Sequence, residues 1–482
     1  MLFLPELVLL AGALALFVIS LGDGRARQAR RATLWVAMVA FIVNVFCVHQ
    51  QGVLFDGAYR IDAFSQWLKL IFALGLLLLG LLSGELPDIQ MEVKAEYFLF
   101  LTMSVLGLTV LVSSIDLISL TVALELTSFP LYVLVAMRRE RAGQRMQMES
   151  AIKYIVFGIT ATGVMLFGMS YLFGLTGTTA LPTLMVRLQP VIHTPLAIVA
   201  LALTLVGLLY KLAVFPFHFW TPDVYEGASN ETASFIASLP KIAAVAVLVR
   251  LTLASLENPT IALLLSCLAI GSMFYGNLIA LMQKDLKRLL GFSGIAHAGY
   301  ALIGFVALSD AGYTAALYYV IAYFFMVLAC LVVICQISRD GANVALEDLA
   351  GLHRRSPLLA LTLLVGVFAL AGIPPFAGFM GKLSLLKAAL AKGHLALVII
   401  AVINSAIAIY YYLGFIREAY FRDDEARRPV VLAWPIRAVC VLLMAAIVVL
   451  GVAPQAIFET ISSSYAAMGL PLSAVAAATT PF

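Results

Sequence analysis

Residues Val206 to Leu248 read VGLLYKLAVFPFHFWTPDVYEGASNETASFIASLPKIAAVAVL, and they place Lys211 and Lys241 inside two apolar runs of helix length. A lysine at the centre of a membrane helix costs roughly 2.5–3.5 kcal/mol on insertion scales. Pro216 follows Lys211 closely, so the helix carrying the lysine loses a backbone hydrogen bond and meets a ring clash about one turn later. Broken backbone at membrane depth survives only where protein or water surrounds it. The stretch therefore predicts a broken helix with a buried ammonium, then a helix with a second one, as part of an ion path through a bundle. The plainer alternative is that both lysines snorkel to an interface.

The rest of the chain fits a membrane setting. It is 63% hydrophobic and only 12% charged, where soluble domains carry about a quarter charged residues. One bundle can therefore absorb all 482 residues, and the net charge of +4 makes no case for a nucleic-acid partner. Cys47, Cys267, Cys330, Cys335 and Cys440 fall in apolar runs without metal-site spacing and are expected to be small core residues. The N-terminus has Glu6 and no basic residue before its apolar run, which predicts a retained first helix rather than a signal peptide.

About fourteen segments have spanning length, at roughly 2–21, 32–49, 64–84, 95–113, 115–137, 150–174, 195–219, 232–254, 260–282, 288–308, 312–337, 357–392, 394–416 and 431–453. Odd-numbered connections hold most of the basic residues: Arg25, Arg27, Arg30 and Arg31, then Arg138, Arg139, Arg141 and Arg145. Lys284, Lys287 and Arg288 follow, then Arg339, Arg354 and Arg355, and finally Arg417, Arg422, Arg427 and Arg428. Even-numbered connections offer Arg60, Arg187 and Arg250, while the acidic third one, GELPDIQMEVKAE, gives no support. The positive-inside rule then puts the odd connections in the cytoplasm and both termini on the periplasmic side of a bacterial inner membrane.

Segment twelve as one helix would measure about 54 Å against a hydrocarbon core of about 30 Å. Gly372-Ile-Pro-Pro-Phe-Ala-Gly378 supplies a break, with Lys382 just beyond it. Segment seven has the same plan around Pro216-Phe217, and segments four to eight match nine to thirteen in order. Five helices per unit is odd, so the units have opposite topology, and paired broken helices in inverted repeats point to a transport path between them. The expected fold is all-α and polytopic: an N-terminal three-helix segment (1–94), two inverted five-helix repeats (95–258 and 259–420) with helices seven and twelve broken, and a C-terminal helix fourteen with its tail (421–482).

Glu125 lies at the middle of segment five, in LTVALELTSFPLYVL, and is expected to face Lys211 or Lys153 rather than lipid. Lys153 follows Glu149 by four residues, so an ordinary helical ion pair explains it as well as a path does. Lys69, Lys387 and Lys392 sit nearer segment ends, where snorkelling is expected. His297, in FSGIAHAGYALIG, lies about 13 Å into segment ten. Imidazole titrates near neutral pH and passes a proton at either nitrogen, which suits a relay between lysines; a hydrogen-bonded core histidine is the bland alternative. Burial lowers a lysine's proton affinity and a nearby carboxylate raises it, so the Glu125–Lys211 separation can load or unload the ammonium. No GxGxxG, P-loop or pair of haem-type histidines appears in the apolar segments, so any electrons run elsewhere.

MESAIKYIVFG (148–158), YKLAVFPFHFWTPDVYEGA (210–228), GNLIALMQKDLKRLLGFSGIAHAGY (276–300) and AGIPPFAGFMGKL (371–383) resemble the antiporter-like membrane subunits of proton-pumping NADH:quinone oxidoreductase, respiratory complex I. MESAIKY and YEGA tilt the resemblance towards the subunit N branch, the counterpart of mitochondrial subunit 2. The proline motifs alone are shared with Mrp-type sodium/proton antiporter and membrane-bound hydrogenase subunits. The resemblance covers most of residues 95–420. It implies a proton-translocating subunit without redox groups of its own, with NADH, FMN, iron-sulfur clusters and quinone in partner subunits. The expected partners are the other membrane-arm subunits and, through them, the hydrophilic arm. It also implies that Glu125 is the helix-five carboxylate, Lys211 its helix-seven partner, Lys241 the central helix-eight lysine and Lys382 the helix-twelve lysine near the opposite exit. Segment thirteen departs from repeat symmetry, with Asn404 and Tyr410-Tyr411-Tyr412 where segment eight has Lys241. That leaves the second half-channel to His297, Lys382 and water. A cation/proton antiporter and a non-translocating spacer are the competing readings.

Overall fold

The computed structural model describes residues 2–22, 24–140, 146–252, 258–338, 340–422 and 428–468. Arg141, Gly143, Arg145, Arg339 and Arg427, together with the C-terminal tail, lie outside the described residues. Helices α1 (Leu4–Ser20), α2 (Ala26–Cys47) and α3 (Ala63–Leu82) form the N-terminal group. The first unit follows as α4 (Lys94–Ser113), α5 (Leu117–Ala136), α6 (Met146–Thr176), a short linker helix α7 (Leu181–Leu188), α8 (Pro195–Leu212), α9 (Trp220–Gly227), α10 (Asn230–Ile236) and α11 (Leu239–Thr252). The second comprises α12 (Pro259–Ala280), α13 (Leu286–Val306), α14 (Asp310–Ile337), a one-turn α15 (Leu352–Arg355), α16 (Pro357–Ala371), α17 (Ala377–Ala391) and α18 (Leu395–Ile416). α19 (Trp434–Val452) and α20 (Gln455–Ala466) complete the described chain.

Each of the fourteen expected segments contains helix. Among the described residues, twelve spans are long and apolar enough to cross a bilayer as they stand, and α1 and α16 are shorter apolar helices. α7, α20 and a hairpin of β1 (Gly52–Leu54) and β2 (Tyr59–Ile61) were not expected. The sequence predicts segment eight as one unbroken helix, but α10 and α11 are separated at Ala237-Ser238. Pro240, having no N–H, removes a helical donor there, and Ser238 Oγ instead donates to Ser234 O at 2.6 Å.

The two units are related by inversion, and their backbone shows it. Asp116 caps α5 and Asp285 caps α13, each through its side chain. Each also makes an isolated antiparallel bridge to the connection after the following helix, Asp116 with Ala180 and Asp285 with Ala345. The flanking bonds repeat as well: Leu117 N–H donates to Thr179 O and Leu181 N–H to Ile115 O, as Leu286 N–H does to Val344 O and Leu346 N–H to Lys284 O. Arg138, just beyond the C-terminus of α5, donates to Gly341 O and to Asn343 Oδ1. The C-terminal end of α5 therefore lies where α13 begins, and the two bridges sit at opposite ends of the bundle. The helix breaks correspond too. α8 ends on Ala213 at φ 64° and α16 on Gly372 at φ 88°, and each is followed by a cis X-Pro bond, Phe215-Pro216 and Pro374-Pro375.

The Asn230–Leu251 span is buried throughout and Leu286–Val306 is buried except at Arg288, whereas most residues of Ala26–Cys47 and Met146–Thr176 are not buried. The first pair forms the axis between the units and the second pair presents apolar side chains outward. Close packing uses small residues: a Cβ on Gly276 would come within 2.6 Å of the α13 backbone at Phe292 and Ala296.

Candidate functional site: a buried polar line between the two units

Lys211 occupies the last turn of α8, immediately before the Ala213 break, and is 4% exposed. Its ammonium donates to Ser128 Oγ at 2.7 Å. Glu125, one turn earlier on α5 and half-buried, accepts from Thr162 Oγ1 on α6 at 2.5 Å. The expected facing of Glu125 and Lys211 is therefore indirect: no salt bridge joins them, and Ser128 receives the ammonium. Aromatic packing holds this geometry. Tyr154 stacks on Trp220 at 4.6 Å, and Trp220 Nε1 donates to Tyr210 O at 3.0 Å, a carbonyl in the last turn of α8 that also accepts from Ala213 N–H.

In the second unit, counted from the two capping aspartates, Gly294 stands where Glu125 stands in the first, and His297 where Ser128 stands. Lys241, 3% exposed, fills the space that a side chain at 294 would take: its Nζ donates to Gly294 O at 3.3 Å, and a Cβ there would lie 2.7 Å from it. The same ammonium lies 5.0 Å from the Tyr323 ring centroid. His297 is held by two hydroxyls, Nδ1 to Tyr319 Oη at 2.6 Å and Nε2 to Tyr412 Oη at 2.9 Å. Tyr412 continues to Ser293 Oγ at 2.6 Å. Lys241, His297, Tyr319 and Tyr323 line one small cavity. Lys382, 6% exposed, donates to Ala371 O at 3.0 Å and Leu370 O at 3.3 Å and lies over the Tyr300 ring at 4.7 Å. Leu370 is the repeat counterpart of Lys211, counted from Ala213 and Gly372, so Lys382 reaches from beyond its break to the level at which Lys211 stands before its own.

The structure brings together Lys241, His297 and the tyrosines of α14, and it places Glu125 beside the Lys211–Ser128 pair. Lys153 lies elsewhere, at the arginine-rich end, where it pairs with Glu149 at 2.7 Å and Asp223 at 2.6 Å; Arg288 in turn binds Asp223 and Glu226 at 2.7 Å each. Half-burial works to raise the Asp223 carboxyl, but hydrogen bonds from Lys153 and Arg288 outweigh it and hold it below the usual range.

Several charges were misplaced by the sequence reading. Lys69 does not snorkel: it is fully buried, 2.7 Å from Glu6, which also accepts from Tyr59 Oη at 2.7 Å. Glu6, at the start of α1, supplies the counter-charge that makes burial of Lys69 tolerable. Arg250 is no connection charge but a buried bidentate partner of Asp62, at 2.9 and 3.0 Å. Lys287 is wholly buried, donating to Ala228 O at 2.6 Å. Lys387 and Lys392 are exposed. Cys267 is exposed rather than a core residue, and Cys335 is partly so. Tyr319 and Tyr323 beside His297 were missed, and Tyr412 was named only as part of a tyrosine run. The signal for the first two was their place on one helical face of an otherwise apolar segment. Lys69→Met, which strands the Glu6 carboxylate, is expected to destabilise the protein by about 3–5 kcal/mol, measured as a lower thermal midpoint of the purified assembly, with Lys69→Met/Glu6→Leu recovering most of the loss.

A family profile described as NADH:quinone oxidoreductase/Mrp antiporter, TM matches residues 114–408. A relative from Opitutus terrae named NADH-quinone oxidoreductase subunit N 2 is 63% identical, over 96% of this chain and 97% of its own. In the structure of respiratory complex I from Thermus thermophilus with bound aureothin, one chain is 32% identical with a TM-score of 0.79, over 94% of this chain and 98% of that one. A chain of the Mrp complex from Dietzia sp. has the same fold at 20% identity, with a TM-score of 0.87 over 99% of each chain. The inverted units, the two broken helices and these likenesses agree: the chain belongs to the subunit N family of NADH-quinone oxidoreductase, within the NADH:quinone oxidoreductase/Mrp antiporter transmembrane family.

Proposed function

We propose that protons cross this chain along Glu125, Lys211, Lys241, His297 and Lys382, with Lys153 at the arginine-rich mouth. The chain is a multi-pass, proton-translocating membrane-arm subunit of NADH:quinone oxidoreductase, and its partners are the other subunits of that complex. The observation that carries the path is the setting of Lys241 and Lys382. Each is buried and, among the described residues, bonds only to main-chain carbonyls and aromatic faces, with no carboxylate in contact. A structural ion pair explains Lys69; it does not explain these. His297 accepts a proton at one nitrogen as it releases one at the other, with Tyr319 and Tyr412 fixing the ring. The 63% identity to a subunit N relative favours this reading over an autonomous cation/proton antiporter. NADH, FMN, iron-sulfur clusters and quinone then belong to partner subunits, and the residue divisions 95–258 and 259–420 delimit the two proton-handling units.

Glu125→Gln tests the path. The amide keeps the Thr162 hydrogen bond but removes the charge that acts through space on Lys211. The complex is expected to assemble, with proton uptake by inverted vesicles reduced several-fold at unchanged protein level. Uptake equal to wild type would make Glu125 a structural carboxylate. The membrane is the bacterial inner membrane, with both termini periplasmic on the arginine count. Reporter fusions at Gly143 and at the C-terminus are expected to read cytoplasmic and periplasmic, respectively; a cytoplasmic C-terminus would reverse the assignment.

A further inference from the structure

Lys241 has neighbours on the side of the second unit, and the path above reaches it from the arginine-rich end only by way of Lys211, not along its own span. α10 provides a route. Glu231, Ser234, Ser238 and Lys241 follow one another at intervals of three, four and three residues, the spacing of one helical stripe. All four are buried, with exposures of 5%, 0%, 0% and 3%. At about 1.5 Å per residue the stripe covers roughly 15 Å, half the thickness of a hydrocarbon core. It begins at the end of the bundle that holds Arg138 and Asn343: Arg138 donates to Glu226 O and Gly227 O, and Asn343 Nδ2 to Glu226 O.

Glu231 is a costly residue at this place. It makes no salt bridge among the described residues, and its Oε2 is buried without a hydrogen-bond partner. The charges acting on it are Lys287, whose ammonium is spent on Ala228 O three residues earlier, Asp88, which is bound by Arg138, and Lys94, whose ammonium donates to Glu85 O. The Ser229 side chain and the residue's own backbone N–H act on the carboxylate from the helix start, but a capping or ion-pairing role does not account for an oxygen left buried and unpartnered. The polar groups that continue inward are hydroxyls. Ser234 Oγ donates to Asn230 O and lies 3.8 Å from Cys335 Sγ, and Ser238 Oγ donates to Ser234 O. The stripe ends where the helix is already broken at Ala237-Ser238, next to Lys241.

We propose that Glu231 is a proton-carrying residue that loads Lys241 along this stripe, an inference that rests on the proton-carrying reading above and adds its input arm. In the transfer, the Glu231 carboxylic acid releases its proton to water and serine hydroxyls along α10. The free amine of Lys241 takes up a proton at the far end and becomes an ammonium. The carboxylate left behind is reprotonated from the aqueous phase through the polar turn at Glu226–Ser229, where Glu226 is partly exposed.

The test uses the assembled complex in inverted vesicles, with Glu231→Gln, Glu231→Asp and Lys241→Met measured together. Glu231→Gln is expected to assemble and to slow proton uptake at least about tenfold, with Glu231→Asp restoring most of it because the shorter acid still exchanges a proton. Wild-type uptake in Glu231→Gln beside lost uptake in Lys241→Met would overturn the Glu231 assignment and leave the wider path standing. Wild-type uptake in both would overturn the path itself. If Glu231→Gln fails to assemble, carbodiimide labelling of the wild-type complex decides. Mass-spectrometric detection of the adduct on Glu231, faster at lower pH, supports an acid that exchanges its proton, and an unlabelled Glu231 overturns it.

Discussion

Lys241→Met is expected to assemble normally and to reduce proton transfer through this chain by roughly a hundredfold, the scale at which a positioned proton-transfer group contributes. Methionine has nearly the length of lysine and fills the same slot against Gly294 and the Tyr323 ring. Replacing a buried ammonium that has no carboxylate partner with an apolar chain of similar volume is neutral or stabilising, since its desolvation penalty disappears. Stability and transport therefore separate at this residue. A spacer whose charges only hold helices in register makes the opposite forecast, lost assembly. Native gels and vesicle proton uptake on one preparation distinguish the two. Assembled complex with wild-type uptake would remove Lys241 from the path.

Lys382 behaves differently, because its ammonium has a second task. It donates to the carbonyls of Leu370 and Ala371 at the C-terminal end of α16, where a helix leaves acceptors unpaired and favours a cation. Lys382→Met is expected to lower proton uptake and also to cost about 1–3 kcal/mol, the penalty of leaving buried acceptors unsatisfied, seen as a lower thermal midpoint of the purified complex. Lys382→Arg restores the cation and its donors while holding its proton throughout the cycle. The arginine variant is thus expected to match wild type in thermal stability and the methionine variant in poor uptake. Full uptake by Lys382→Arg would mean that a fixed charge at the second break suffices.

Much of this was open to inspection in the chain itself. The fourteen segments follow from the length of apolar sequence a bilayer demands, and the two breaks follow from Pro216 and Pro374-Pro375, which no continuous helix accommodates. The opposite topology of the units follows from an odd helix count, and Lys211, Lys241 and Lys382 stand out because charge at depth is expensive. The break between α10 and α11 is also written in Pro240, but a proline so close to a helix start is compatible with an uninterrupted span as well.

Partners were another matter. Lys69 and Lys241 are each an isolated lysine in an apolar run, yet one is neutralised by Glu6 and the other, among the described residues, meets only a main-chain carbonyl and an aromatic ring. Glu125 and Lys211 were legible as a pair by charge, but Ser128 is what the ammonium reaches. His297 acquires Tyr319 and Tyr412 from two other helices, the second of them more than a hundred residues away. The amino-acid sequence by itself determined which residues are forced out of water and where the backbone must break, because both are local costs of hydrophobicity and proline stereochemistry. Only the tertiary structure decided what each buried polar atom bonds to, because in an apolar interior that atom must take whichever donor or acceptor the opposing helix presents, and helix packing sets that choice.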